Sequence, residues 1–162
     1  MKKIMLMVII VVSASFFTKA SAQLKVSINI GSQPTWGPTG YDHVDYYYMP
    51  DVDMYYYVPT RQYIYMDRGK WRFSTTLPHR YSNFDINTGY KVVVNEPKPY
   101  NRASYYRSKY ANYKGRHDQD IIRNSHEEKY WQIKDHPDHS KWENNNGNKN
   151  NNHGNGNANG HH

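Results

Sequence analysis

Cysteine is absent from all 162 residues, so no disulfide staples the fold and a compact structure has to rest on burial alone. A domain of the size available here buries roughly 60% of the surface its unfolded chain exposes. Lipid attachment at a processed N-terminal cysteine is excluded with it. No Gly-x-Ser-x-Gly surrounds any serine, and no glycine-rich loop able to cradle a phosphate is present. Only His43 and His79 fall in the part that reads as folded. No nucleophile, base and orienting group can be named together, so neither catalysis nor a cofactor is expected. Long apolar runs are lacking too: Ile4 to Val12, extended by Phe16 and Phe17, is too short for a comfortable membrane span.

That short run carries the address. Lys2 and Lys3 precede it, and Ala20-Ser21-Ala22 follows with small residues in the pattern a signal peptidase reads. Residues 1–22 are therefore expected to be a signal peptide, with Gln23 as the new N-terminus. The mature chain is expected in the periplasm or outside the cell, with no transmembrane segment after cleavage. Three of the 21 basic residues lie in that leader and all 14 acidic residues lie beyond it. The remaining 18 against 14 give a net charge of +4. Such a length allows one domain with appendages.

Residues 23–100 read as a small β-domain. Leu24, Val26, Ile28 and Ile30 alternate with polar residues, as in a half-buried strand. Gly31 to Gly40 reads as a long turn around Trp36. Two similar segments follow, Val44-Asp45-Tyr46-Tyr47-Tyr48-Met49-Pro50 and Val52-Asp53-Met54-Tyr55-Tyr56-Tyr57-Val58-Pro59. Both are rich in strand formers and each stops at a proline, which predicts two short strands joined at Pro50-Asp51. Gln62, Ile64 and Met66 share one face of the next strand. Asp67-Arg68-Gly69-Lys70 predicts a type I turn with a G1 bulge. The return strand sets Trp71, Phe73 and Leu77 on one face. A last strand, Tyr90 to Val94, has the apolar run of a central strand. The expected class is mainly β: a small antiparallel sheet, rolled sheet or sandwich of five or six short strands.

Residues 101–142 read as a basic, tyrosine-rich, partly helical arm. Arg102, Arg107, Lys109, Lys114 and Arg116 occur without an acid between Asn101 and Arg116, interleaved with Tyr105, Tyr106, Tyr110 and Tyr113. Cations with interleaved rings suit a polyanion, since phosphate groups attract the charges while rings add stacking. In an exported protein the anion expected is lipopolysaccharide, a teichoic-type polymer or a membrane surface, and not nucleic acid. Ser125 with Glu128 three residues on forms a capping-box pattern. From Glu143 to His162, ten of twenty residues are asparagine and none is a large hydrophobe, so this tail is expected to be disordered.

Twelve of the seventeen tyrosines lie between Tyr41 and Tyr100. Successive side chains on a strand face opposite ways, so each Tyr triplet sends at least one ring outward. Packing claims most of these rings. Trp36, Tyr47, Tyr55 and Tyr57 are the candidates for stacking on glycans. His136 and His139 beside Asp135 and Asp138, His117 beside Asp118 and Asp120, and the tail histidines could ligate a metal only if a fold fixed them. They read as solvated histidines of low-complexity sequence, so no metal is expected.

Several segments carry a resemblance: Gly37-Pro38-Thr39-Gly40-Tyr41, Tyr46-Tyr47-Tyr48-Met49-Pro50-Asp51, Pro59-Thr60-Arg61-Gln62-Tyr63-Ile64-Tyr65, Gly69-Lys70-Trp71 and Tyr90-Lys91-Val92-Val93-Val94-Asn95-Glu96-Pro97. Over about residues 24–100 the chain resembles a group of small exported proteins of Gram-negative bacteria that have no assigned catalytic residues. The resemblance implies an exported address and a compact domain. The expected function is that of a non-enzymatic structural or interaction protein contacting the cell envelope or an extracellular partner, protein or glycan. The alternative is a glycan- or polyanion-binding module that uses exposed rings and the basic arm.

Overall fold

The computed structural model describes residues 28–151, with side chains through Asn146. The expected signal peptide, the start of the Leu24–Ile30 strand, and the tail from residue 152 lie outside the described residues. Five strands, β1 (Tyr46–Met49), β2 (Met54–Tyr57), β3 (Gln62–Asp67), β4 (Lys70–Ser74) and β5 (Val92–Val94), form one antiparallel sheet in the order β4-β3-β2-β1-β5. The duplicated segments are the hairpin at its centre, paired Tyr46 to Tyr57, Tyr47 to Tyr56 and Tyr48 to Tyr55. Pro50 and Pro59 end these strands because a proline has no N–H to give the ladder.

The β3–β4 turn corrects one expectation. Asp67 pairs directly with Lys70, which leaves a two-residue loop, Arg68-Gly69, with φ of 49° and 74°. Positive φ at both positions belongs to a type I′ turn, whose twist matches the flanking strands, and not to a bulged type I turn. Gly69 meets this demand without a Cβ penalty. Leu77 is a second correction. Chain reversal after Ser74 carries it to the sheet face opposite Trp71 and Phe73.

Both faces of the sheet are buried, and tyrosine fills both. On one face Tyr47, Met49, Met54 and Tyr56 pack with Val44 and Val58 under Trp36, Leu77, Tyr81, Phe84 and Ile86. On the other, Tyr46, Tyr48, Tyr55, Ile64 and Val94 meet Tyr100, Tyr106 and Tyr110, which come from beyond residue 100. The rings mostly meet edge-on or tilted, as in Tyr48–Tyr55 at 4.9 Å and Trp36–Tyr56 at 4.8 Å, the arrangement their quadrupoles favour. Desolvation holds the Tyr47, Tyr48 and Tyr55 phenols protonated far above the ordinary range, with Asp53 adding to the effect at Tyr48. It pushes Tyr63 up to about 12.

Strand β5 is an edge strand, not a central one. Its valines are apolar on both sides because both sheet faces are covered. Immediately before it, the Gln119 side-chain amide accepts from the Lys91 N–H at 2.9 Å and donates to the Lys91 carbonyl at 2.9 Å. The side chain thus pairs one backbone residue at the entry to this edge as a neighbouring strand would.

A third cluster, Ile30, Ile122, Tyr130 and Ile133, joins the two ends of the described chain. Ile30, expected as the end of a strand, instead opens a 3₁₀ turn, Ile30–Ser32, and turns into this cluster. The Gly31–Gly40 turn runs beside residues 120–123: Thr39 N–H reaches Asp120 O at 3.1 Å, Ile122 N–H reaches Gly37 O at 2.8 Å and Arg123 N–H reaches Thr35 O at 2.8 Å. Gly37 is required by proximity, since a Cβ there would lie 2.5 Å from the Tyr47 hydroxyl oxygen. Three helices, α1 (Ala103–Lys109), α2 (Glu128–Trp131) and α3 (His139–Asn151), follow the sheet. The expected capping box is displaced: Ser125 Oγ accepts from the Glu127 N–H at 3.2 Å, and α2 starts one residue later without a side-chain cap. Residues 143–151, expected to be disordered, are helical. The first turns of α3 are tied by His139–Glu143 at 3.4 Å and by stacking of His139 on Trp142. No helix of the described residues is long and apolar enough to cross a membrane.

Candidate functional site

Seven residues are too few for a helix to persist alone in water, so α1 depends on its packing. Pro99 opens the 3₁₀ turn that leads into it, a position where the missing N–H costs nothing. Tyr106 anchors it in the core, and Lys109 in its last turn suits the negative end of the helix dipole. Tyr110 continues the anchor, its ring 6.2 Å from Tyr106 and nearly parallel to it. The basic arm is thereby laid along one sheet face.

That placement divides the five predicted cations. Arg107 turns toward the sheet and donates from Nε to Asp53 Oδ2 at 3.0 Å, while the Tyr48 hydroxyl donates to Asp53 Oδ1 at 3.0 Å. Asp53 raises the Arg107 guanidinium further above its ordinary range, first through that hydrogen bond. Arg116 lies 5.1 Å from the centroids of both Tyr90 and Tyr113, and its Nε meets Asp118 at 2.9 Å. Both arginines lie at the surface and are engaged there by an acid. Arg102, Lys109 and Lys114 are exposed as well. Arg102 and Lys109 flank the ring of Tyr105 at 5.3 and 5.2 Å, and Tyr105 is 48% exposed. Lys109 Nζ donates to the Tyr105 hydroxyl at 3.0 Å. This hydrogen bond lowers the phenol and raises the amine relative to their ordinary values. Arg102 also pairs with the exposed Glu96, and among the described residues Lys114 forms no ion pair.

The glycan-stacking set comes apart. Tyr47 and Tyr55 are fully buried, because β1 and β2 are central strands covered on both sides. Tyr57 is half-buried and stacks on Tyr46 at 4.6 Å. Trp36 is half-buried on the opposite sheet face. These four rings therefore form no common platform.

The histidines are likewise placed by the fold. His136, read as solvated, is 4% exposed. Its Nδ1 accepts from the Asp138 N–H at 3.1 Å, and its Nε2 lies 3.1 Å from Ile122 O. His139 Nδ1 reaches Trp131 O at 2.7 Å, and His117 Nδ1 reaches Thr88 O at 3.1 Å. His43 Nε2 lies 3.3 Å from Asp45, while its Nδ1 is buried without a partner. Among the described residues no three His, Asp or Glu side chains gather in a group able to hold a metal.

Sequence reasoning missed the clefts, because they join residues that are distant along the chain. One, of about 180 Å³, lies between Trp36, Tyr56 and Arg61 on one side and Ile133, Lys134 and Asp135 on the other. A second, of about 380 Å³, is lined by polar groups that include His117, Gln119 and Arg123. Neither is lined by His43 or His79. Trp36 alone was legible, as an aromatic residue in a turn. No family model matches this chain, and neither a curated protein nor a solved structure matches it.

Proposed function

We propose that this chain is a non-enzymatic, exported interaction protein that contacts an anionic component of the cell envelope, or an anionic extracellular partner, through the outer side of α1. The observation that carries this reading is the exposed Arg102–Tyr105–Lys109 array, a ring held between two cations. Lys114 extends its charge. Arg107 and Arg116, exposed too, are paired with Asp53 and Asp118. The leader-like N-terminus supports the exported address.

The test is co-sedimentation of the chain beginning at Gln23 with isolated cell envelopes across a salt series. Binding is expected to fall as salt rises, since exposed charges are screened over about 10 Å at 0.1 M. Replacing Arg102, Lys109 and Lys114 by Gln is expected to abolish the salt-releasable fraction while the melting temperature stays put. Envelope binding that is insensitive to both salt and the triple substitution would move recognition elsewhere on the molecule. Removing the whole arm is a poor test, because it strips the cover from Tyr48 and Tyr55.

A further inference from the structure

The Trp36 cleft lies across the sheet from α1 and combines three kinds of group. Half-buried Trp36 packs edge-on against the buried Tyr56, their rings 4.8 Å apart at 76°, so Trp36 is the ring the cleft can offer a ligand. Arg61 stands at its mouth, close enough to the Tyr56 hydroxyl that its charge counteracts the rise that burial imposes on that phenol. Lys134 and Asp135 face it from the third segment. Among the described residues neither Arg61 nor Lys134 forms an ion pair. Arg107, Arg116, Lys129 and Lys141 each have a carboxylate within 3.3 Å.

Each group selects for a feature of the ligand. An aromatic face accepts the apolar C–H face of a sugar ring. A guanidinium with no internal acid takes a carboxylate in a fork that an ammonium cannot reproduce. Lys as donor and Asp as acceptor meet the hydroxyls. At about 180 Å³ the cleft is below the roughly 300–1,000 Å³ of drug-sized sites, so it holds one ring and not a folded chain. We propose that this cleft binds a single hexuronic-acid ring, either as the free acid or as one unit of an acidic polysaccharide. This site is separate from the α1 array, and it does not depend on the reading of that array.

The experiment is an NMR titration of the full chain from Gln23, labelled with ¹⁵N at its four tryptophans. The Trp36 indole signal is assigned by Trp36→Phe. Glucuronate is expected to shift this signal saturably, while glucose binds at least about tenfold more weakly. Arg61→Asn, chosen because Asn tolerates the left-handed backbone of Arg61 (φ 55°), is expected to lose about tenfold in affinity. Lys134→Gln is expected to weaken binding as well. The remaining three indole signals serve as the check that the variants are folded. Tighter binding of a tri-uronide than of glucuronate assigns the site to a polymer, and equal binding assigns it to the free acid. No saturable shift, equal binding of glucose, or full affinity in both variants would overturn the proposal.

Discussion

Tyr55→Phe is expected to stabilise this protein, although it alters one of its most buried side chains. Tyr55 has no exposed surface, and its ring is hemmed in by Tyr48, Trp71, Tyr100 and Tyr106 at centroid distances of 4.9 to 6.4 Å. Its hydroxyl is buried with no hydrogen-bond partner. A buried, unsatisfied polar group costs about 1–3 kcal/mol. Removing the oxygen relieves that cost and keeps every ring contact, less a small term for the space left behind. The expected gain is about 1 kcal/mol, or a rise in Tm of roughly 3–5 °C for a domain of this size. The control is Tyr47→Phe on the neighbouring strand. Its hydroxyl donates to Gln33 Oε1 at 3.0 Å, and Gln33 is itself 1% exposed. The same deletion there strands a buried acceptor and is expected to cost about 1–3 kcal/mol. Thermal and urea unfolding of both variants reads the sign directly. If Tyr55→Phe loses as much stability as Tyr47→Phe, the Tyr55 hydroxyl has a partner after all and the reasoning fails.

Two further outcomes are expected. Burial depresses Lys91 to about 8 from an ordinary value of 10.5, against the opposing pull of Asp85. Between those values the unfolded chain binds more protons than the folded one, so stability rises with pH. Near 10 the trend reverses, because the buried tyrosines then ionise only on unfolding. Lys91→Met is expected to remove the rise seen in urea midpoints above pH 8. Gly37→Ala places a methyl against the Tyr47 hydroxyl, which its bond to Gln33 keeps from retreating. It should cost about 1–3 kcal/mol, seen as a lower urea midpoint, and its loss and that of Tyr47→Phe should be less than additive in the double variant.

The strands were legible because their signals are local. Pro50, Pro59 and the Arg68-Gly69 turn bracket runs of Tyr, Met and Ile, and the ladder registers follow from those brackets. Which rings are buried was not legible. Tyrosine is apolar along its body and polar at its tip, so a Tyr-Tyr-Tyr run shows no contrast between inward and outward positions. The covering of the second face depends on Tyr106 reaching Tyr48 across 58 positions of sequence, which no periodicity encodes. The same holds for His136, whose partner is Ile122 O, and for the cleft that brings Arg61 to Lys134. Of the five arm cations, sequence supplied all the charges but not their directions. Asp53 and Asp118 draw in Arg107 and Arg116.

The anchoring of α1 by Tyr106 and Tyr110 turns a count of charges into a ruler. On a loose arm, Arg102 and Lys109 would follow whatever anions lay nearby, and only their number would matter. Fixed at the entry to and the end of a helix whose rise is about 1.5 Å per residue, they stand roughly 10 Å apart along its axis. A surface built in this way distinguishes polymers by the spacing of their anionic groups, so two polyanions of equal charge density and unequal repeat would not be equivalent partners.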